Sequence, residues 1–222
     1  MMKKPLIHLG RVGLRERLTP FKAHAKKSGL PPGSLVHIGE QKTETPVISL
    51  IEFDEKHFDV ATGLTVDEVR GCRETNPVSW VNLTGIHDVS LFGDLGAAFA
   101  IHPLALEDIL NTQHRPKLEE YDDFTLIILK MLYFNDKARA VEAEQVSLIV
   151  GSNYVLTFQE REGDLFNGVR ERLQRSHGRI RQRGSDYLAY ALIDSIVDGY
   201  FQSLEKIGDC LADLEEGLLA DP

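Results

Sequence analysis

No stretch of this 222-residue sequence is apolar enough to cross a bilayer: the longest run, Phe124–Leu129, is stopped by Lys130, far short of the ~18 residues a spanning helix needs. The chain read alone is therefore expected to be soluble. Cysteine is nearly absent. Cys72 and Cys210 are too few and too isolated for a disulfide framework or a thiolate zinc site. There is no Gly-rich phosphate loop, no HExxH, no GxSxG and no CxxC, which removes the common signatures of nucleotide, metalloprotease, hydrolase and redox chemistry. The eight histidines are scattered, with no pair at ligand spacing, so a zinc enzyme is not expected. Nor does the start read as a secretory signal, because His8 and Arg11 break its apolar run. Positive charge is also short: 25 basic against 34 acidic residues leave a net charge of −9, which argues against a dedicated nucleic-acid binder.

What charge there is lies unevenly. Residues 1–30 carry eight Lys/Arg and only Glu16, and the rest is strongly acidic. A basic arm of this kind can touch an anionic surface, fold onto the acidic body or stay solvated. Pro31-Pro32-Gly33-Ser34 marks its end. From residue 46 onward strand and helix signals alternate. Val47–Phe53, His57–Thr62, Val78–Leu83, Phe124–Phe134, Gln145–Val150 and Tyr154–Gln159 are rich in β-branched and aromatic residues. Phe124–Leu129 hardly alternates, which predicts a strand covered on both faces. Gly151-Ser152-Asn153 predicts a short hairpin loop. Thr65 and Glu68 have capping-box spacing before a short helix. Val89–Ala100 and Pro103–Asn111 predict two more helices, with Pro103 as a first-turn proline and His102 as the cap before it. Gln113–Tyr121 reads as a surface connection.

After residue 163 the pattern turns helical. Asp164–His177 predicts one helix and Ser185–Leu219 a much longer one. In the second, Ile193, Val197, Tyr200, Leu204, Ile207, Leu211, Leu214 and Leu218 recur at alternating steps of four and three, a coiled-coil seam. The seam needs a helical partner, and Asp164–His177 is the nearest candidate. Arg170, Arg172, Arg175, Arg179, Arg181 and Arg183 form a basic band that reads as a solvated helix end and turn. The expected fold is α/β: an α/β/α sandwich with a mixed β-sheet, followed by a long projecting helical hairpin. Its divisions are a partly ordered basic arm (1–45), a sandwich domain (46–162) and the hairpin (163–222).

One local pattern bears on chemistry. On Pro103–Asn111 the residues Ala105, Leu106, Ile109 and Leu110 make an apolar face, while Leu104, Glu107, Asp108 and Asn111 share another. Two carboxylates beside an amide can hold a hard cation through oxygen ligands; an ordinary solvated face explains the same letters.

The run Trp80-Val81-Asn82-Leu83-Thr84-Gly85, the segment HPLALEDILNTQHRPKLEEYDDFTLIILKMLYF, Glu144-Gln145-Val146-Ser147-Leu148, Phe158-Gln159-Glu160, Val169-Arg170-Glu171-Arg172 and Asp186–Asp194 together resemble the cytosolic domain of CorA magnesium/cobalt channels. The resemblance covers roughly residues 45–220. His114 departs from it, since glutamine is common there. It implies a homopentamer with a cytosolic funnel whose membrane helices lie beyond this chain. The domain would sit at the cytoplasmic face of the inner membrane and gate transport rather than catalyse a reaction. It also implies a regulatory Mg2+ site between subunits, replaceable by Co2+ or other divalent cations, lined by Glu107, Asp108 and Asp194. Without stalk and membrane contacts the isolated chain is expected to be monomeric or weakly associated. A zinc- or nickel-transporting branch of the same fold, a soluble adaptor and a metal-dependent enzyme using Glu107 or Asp108 as base are the alternatives.

Overall fold

A computed structural model describes residues 29–220; the predicted basic arm, up to residue 28, lies outside the described residues. In chain order come β1 (Val47–Phe53), β2 (Phe58–Leu64), α1 (Val66–Val69), β3 (Val78–Thr84), α2 (Val89–Phe99) and α3 (Pro103–Leu110). Then follow β4 (Lys117–Glu120), β5 (Thr125–Asn135), β6 (Ala140–Val150), β7 (Tyr154–Gln159), α4 (Asn167–Gln174) and α5 (Ser185–Ala220). The strands form one sheet in the order β2-β1-β3-β7-β6-β5-β4. β3 and β7 run parallel, and the other pairs are antiparallel. A parallel pair needs a crossover, and the chain makes it through α2 and α3.

Period-two side-chain alternation sends each strand's residues to two separate cores. Val81, Leu83, Leu126, Ile128, Leu156 and Phe158 pack with Phe92, Leu95, Phe99, Leu106 and Ile109 from α2 and α3. On the opposite face Ile51, Trp80, Met131, Val146, Leu148 and Val155 pack with Val169, Leu173, Leu188, Leu192 and Ile196 from α4 and α5. Helices therefore cover both faces, and the mixed α/β/α sandwich is as the sequence predicts. The unalternating run of β5 fits this: Leu126 and Ile128 are fully buried on one face, and Ile127 and Leu129 pack on the other. β6 and β7 join through the expected tight hairpin, with Val150 opposite Val155.

Local chemistry sets the helix starts. The Glu68 carboxylate accepts hydrogen bonds from the Thr65 N–H and hydroxyl, each at 2.8 Å, completing the box before α1. The Leu104 N–H donates to His102 Nδ1 at 3.2 Å, so His102 caps α3 while Pro103 needs no donor. Gly85, at φ +91°, turns the chain out of β3 where a Cβ would meet the Pro46 backbone at 3.1 Å; only glycine fits there without strain.

Three boundaries differ from the sequence expectation. Lys117–Glu120 is not a mere connection but the edge strand β4, paired antiparallel with Thr125–Ile128 of β5. Its letters, KLEE, carry charge and only one large apolar residue, which suits an exposed edge and hides the strand from a hydrophobicity pattern. β6 begins at Ala140 rather than Gln145, because β5 and β6 run on as a two-stranded arm beyond the end of β7. The helix expected over Asp164–His177 spans only Asn167–Gln174, ending in a turn where Ser176 (φ +50°) and Gly178 (φ +74°) take left-handed backbone. The two-turn α4 is too short to cover the seam of α5. Leu204, Leu211, Leu214 and Leu218 stay exposed. The long helix is instead anchored by its first half, as far as Ser203, on the sheet and braced by the β5–β6 arm, whose Arg139 pairs with Asp213 at 2.9 Å.

Candidate metal site

α3 presents the predicted acids at the edge of its sheet layer, both half-buried. The Gly33 N–H donates to Glu107 Oε2 at 2.6 Å, so the segment before β1 is tied along α3. Leu30, Pro31, Pro32 and Ser34 from that segment, with Leu104 and Glu107, line a cavity of about 260 Å³. Asp108 is more heavily engaged. Lys117 Nζ lies 2.5 Å from Oδ2 and His114 Nε2 lies 3.0 Å from Oδ1. Lys117 also reaches Glu119 at 2.8 Å, and the Tyr121 hydroxyl donates to Glu119 Oε2 at 2.9 Å. Burial disfavours the charge on Lys117, but its bonds to Asp108 and Glu119 outweigh this and hold its pKa above the usual lysine value. Burial, followed by the bond to Glu119, pushes the Tyr121 phenol up to about 12. Asn111 is spent locally, its Oδ1 accepting from the Gln113 N–H at 3.2 Å. The solvated-face reading of α3 is thus corrected at Asp108, which sits in a closed cluster of charge.

Asp194 lies elsewhere. It stands on the exposed side of α5, whose neighbours Leu192 and Ile196 enter the opposite core. Within one chain the whole sheet separates it from Glu107 and Asp108. Among the described residues no group of three His, Cys, Asp or Glu side chains could hold a metal ion. A site using all three acids therefore needs two copies, with α3 of one facing α5 of the next. A hard divalent cation accepts this donor set, since carboxylate oxygens plus retained waters satisfy its coordination.

Sequence reasoning missed Lys117 and His114 as partners of Asp108, and the reason is β4. Only when Lys117–Glu120 is recognised as a strand paired to β5 does Lys117 come back beside α3. It also missed two buried acids. Glu144 is 1% exposed, and its Oε1 accepts the N–H groups of Glu160 at 2.8 Å and Arg161 at 3.1 Å. Burial pushes its carboxyl above the ordinary range despite these bonds. Glu160, 5% exposed, pairs with Lys42 at 2.9 Å. The arginine band is corrected in part. Arg170 grips Asp164 with two nitrogens at 2.5 and 2.6 Å and lies over Trp80. Arg181 donates to the Leu173 carbonyl at 2.6 Å and lies over Phe58. These two fasten α4 and its turn to the core.

Comparison with known proteins agrees with the fold. The family profile described as CorA-like Mg2+ transporter protein matches residues 76–222. The chain is 43% identical over 196 residues to the cobalt/magnesium transport protein CorA of Thermotoga maritima, covering 88% of this chain and 56% of that protein. It is 26% identical over 142 residues to the protein of the same name from Methanocaldococcus jannaschii, covering 64% of this chain and 44% of that one. Among solved structures it is similar to the soluble domain of CorA from Methanocaldococcus jannaschii, at TM-score 0.58 and 21% identity over 77% of this chain and 64% of that one. It is also similar to the full-length CmaX protein, at TM-score 0.65 and 16% identity over 82% and 55%. At such identities these two likenesses show the fold. The chain spans about half the length of these curated relatives. With a profile matched over more than half its residues and a relative at 43% identity, the chain belongs to the CorA-like Mg2+ transporter family.

Proposed function

We propose that this chain is the magnesium-sensing, gating part of a divalent-cation channel that carries Mg2+ or Co2+. In this reading residues 46–162 form the sensing domain and residues 163–222 the helical part that follows it, with membrane helices elsewhere in the whole protein. The sandwich lies at the cytoplasmic face of the membrane, copies assemble as a homopentamer, and no reaction is catalysed. Family membership supports the transport class. The sensing role rests on one observation: Glu107 and Asp108 stand on one helix layer, Asp194 on the other, with the sheet between them. Such acids can meet only across an interface.

The energetics suit a sensor. Two like charges 4 Å apart cost on the order of 4 kcal/mol at an effective dielectric near 20. A Mg2+ ion between them turns that repulsion into attraction, but it keeps several waters and binds weakly. At ~10 times its dissociation constant one ion stabilises the closed interface by about 1.4 kcal/mol. Five equivalent sites in a ring sum to roughly 7 kcal/mol, enough to carry a two-state gate from mostly open to mostly closed.

The interface origin is tested by complementation. Asp108→Ala and Asp194→Ala chains are prepared separately and mixed, and Mg2+-driven association is followed by sedimentation. Each variant alone should respond less to Mg2+ than the native chain, and the mixture should recover part of the response, because one intact site forms per mixed pair. A mixture no better than either variant would remove the inter-copy site.

A further inference from the structure

Lys130 is hydrogen-bonded toward both helix layers. The Lys130 side chain leaves β5 on the α3 side, where Nζ donates to the Thr112 carbonyl just beyond α3 at 2.6 Å and to Gln145 Oε1 at 3.3 Å. Gln145, directly opposite Lys130 in the β5–β6 ladder, donates through Nε2 to the Ile109 carbonyl near the end of α3 at 3.0 Å. From the opposite face the Tyr200 hydroxyl of α5 donates to the Lys130 carbonyl at 2.5 Å. The last carbonyls of a helix have no intrahelical partner, so an ammonium and an amide delivered from the sheet fix the end of α3. The same backbone position fixes α5 where the helix leaves the sheet: Ile196 is fully buried, whereas Leu204 is 61% exposed.

The site is rigidly backed. Gln145 donates its N–H to Glu160 Oε1 at 2.6 Å, and Glu160 in turn holds Lys42 at 2.9 Å. These bonds replace ladder partners lost where β6 outruns β7. Lys42 follows the segment that runs along α3, where Ile38 donates its N–H to the Leu110 carbonyl at 3.0 Å and accepts the Thr112 N–H at 2.9 Å. The end of α3 is thus held to the sheet by directional hydrogen bonds as well as by its apolar face. A shift of α3 pulls on Lys130.

We infer that Lys130 is a strut through the sheet, a positioning residue that makes the end of α3 and the emergence of α5 move as one unit. This deepens the gating role above and rests on it for its use: a cation that displaces α3 would tilt α5 at Tyr200, and the projecting part of the helix would amplify that tilt. The strut itself is a statement about coupling between two elements, and it stands or falls without any ion.

Hydrogen exchange of single amides tests it. Tyr200→Phe deletes one hydroxyl on the α5 face and leaves the α3 face chemically untouched. The reporters are the amides of Ile38, Asn111 and Thr112, all on the α3 side. They should exchange about fivefold faster in the variant, the equivalent of one lost hydrogen bond. In the reverse direction Lys130→Met keeps the carbonyl and removes the ammonium, and it should accelerate the amides of α5 around Tyr200. Acceleration confined to the mutated face would overturn the strut, and so would a uniform acceleration that includes Leu95 and Val81, because that is global loosening. Repeating the native measurement with Mg2+ separates the two claims. Slowing of the same reporters supports both. No response to Mg2+ with the cross-sheet effect intact keeps the strut and counts against the sensor.

Discussion

Asp108, one of the acids proposed to take a cation, is already paired within its own chain. Lys117 at 2.5 Å occupies one of its oxygens and His114 the other, so a divalent ion must displace an internal one. In the proposed site that competition would lower the affinity the acids provide. Lys117→Met removes the competing charge while keeping most of the buried stem, and Mg2+ affinity should rise roughly fivefold, in line with an ion pair worth about 1 kcal/mol; titration calorimetry reads it, and unchanged or weakened binding contradicts it. The acids were singled out as a proposed site only through the family resemblance, since a solvated face explains the same letters, and the lysine facing Asp108 was not foreseen at all. Its position depends on a strand pairing that no local pattern announces. Asp54 contributes to acid sensitivity. The His57 ring, then the Lys56 and His57 N–H groups, draw the Asp54 carboxyl down to about 2. A lowered carboxyl contributes stability that is fully present above its ordinary value of 3.8 and is lost as pH falls through the folded one. Asp54→Ala should therefore flatten the loss of stability between about pH 4 and pH 2 in acid unfolding curves. An unaltered slope in that window would show that the β1–β2 turn does not carry it.

α5 has two halves with different energetics. Its first part enters the core through Leu188, Leu192 and Ile196, each fully buried. Its second part carries the exposed heptad seam. Ile196→Ala should cost about 2–5 kcal/mol in urea unfolding, whereas Leu211→Ser should stay within about 0.5 kcal/mol. Equal costs would mean that the seam is already packed. At this scale the sequence was a good guide where burial imposes a period and a poor one where it does not. The unalternating β5, the hairpin at Gly151–Asn153 and the caps at Thr65 and His102 followed from local chemistry. The exposed strand β4 and the early end of α4 did not, because a charged edge and a left-handed turn at Ser176 leave little hydrophobic signature. The seam was read correctly as a pattern, yet its predicted partner is too short to reach it.

For the whole molecule, the layering is what turns a helix acid into part of a possible interface. Glu107 and Asp108 leave one side of the sandwich and Asp194 the other, so a ring of copies can place an ion at each junction while a single copy cannot. The sandwich could be inferred from sequence, because alternating strand and helix signals dictate helices on both faces. The proposed junction could not, since it would exist only between copies. Closure of a channel by these acids when magnesium is plentiful is read most directly from divalent-cation flux through the whole protein in vesicles as internal Mg2+ is raised, comparing the native form with Asp108→Ala/Asp194→Ala. The double variant should fold, carry flux and keep carrying it at Mg2+ levels that shut the native form. Inhibition by internal Mg2+ that is the same in both would contradict closure by these acids.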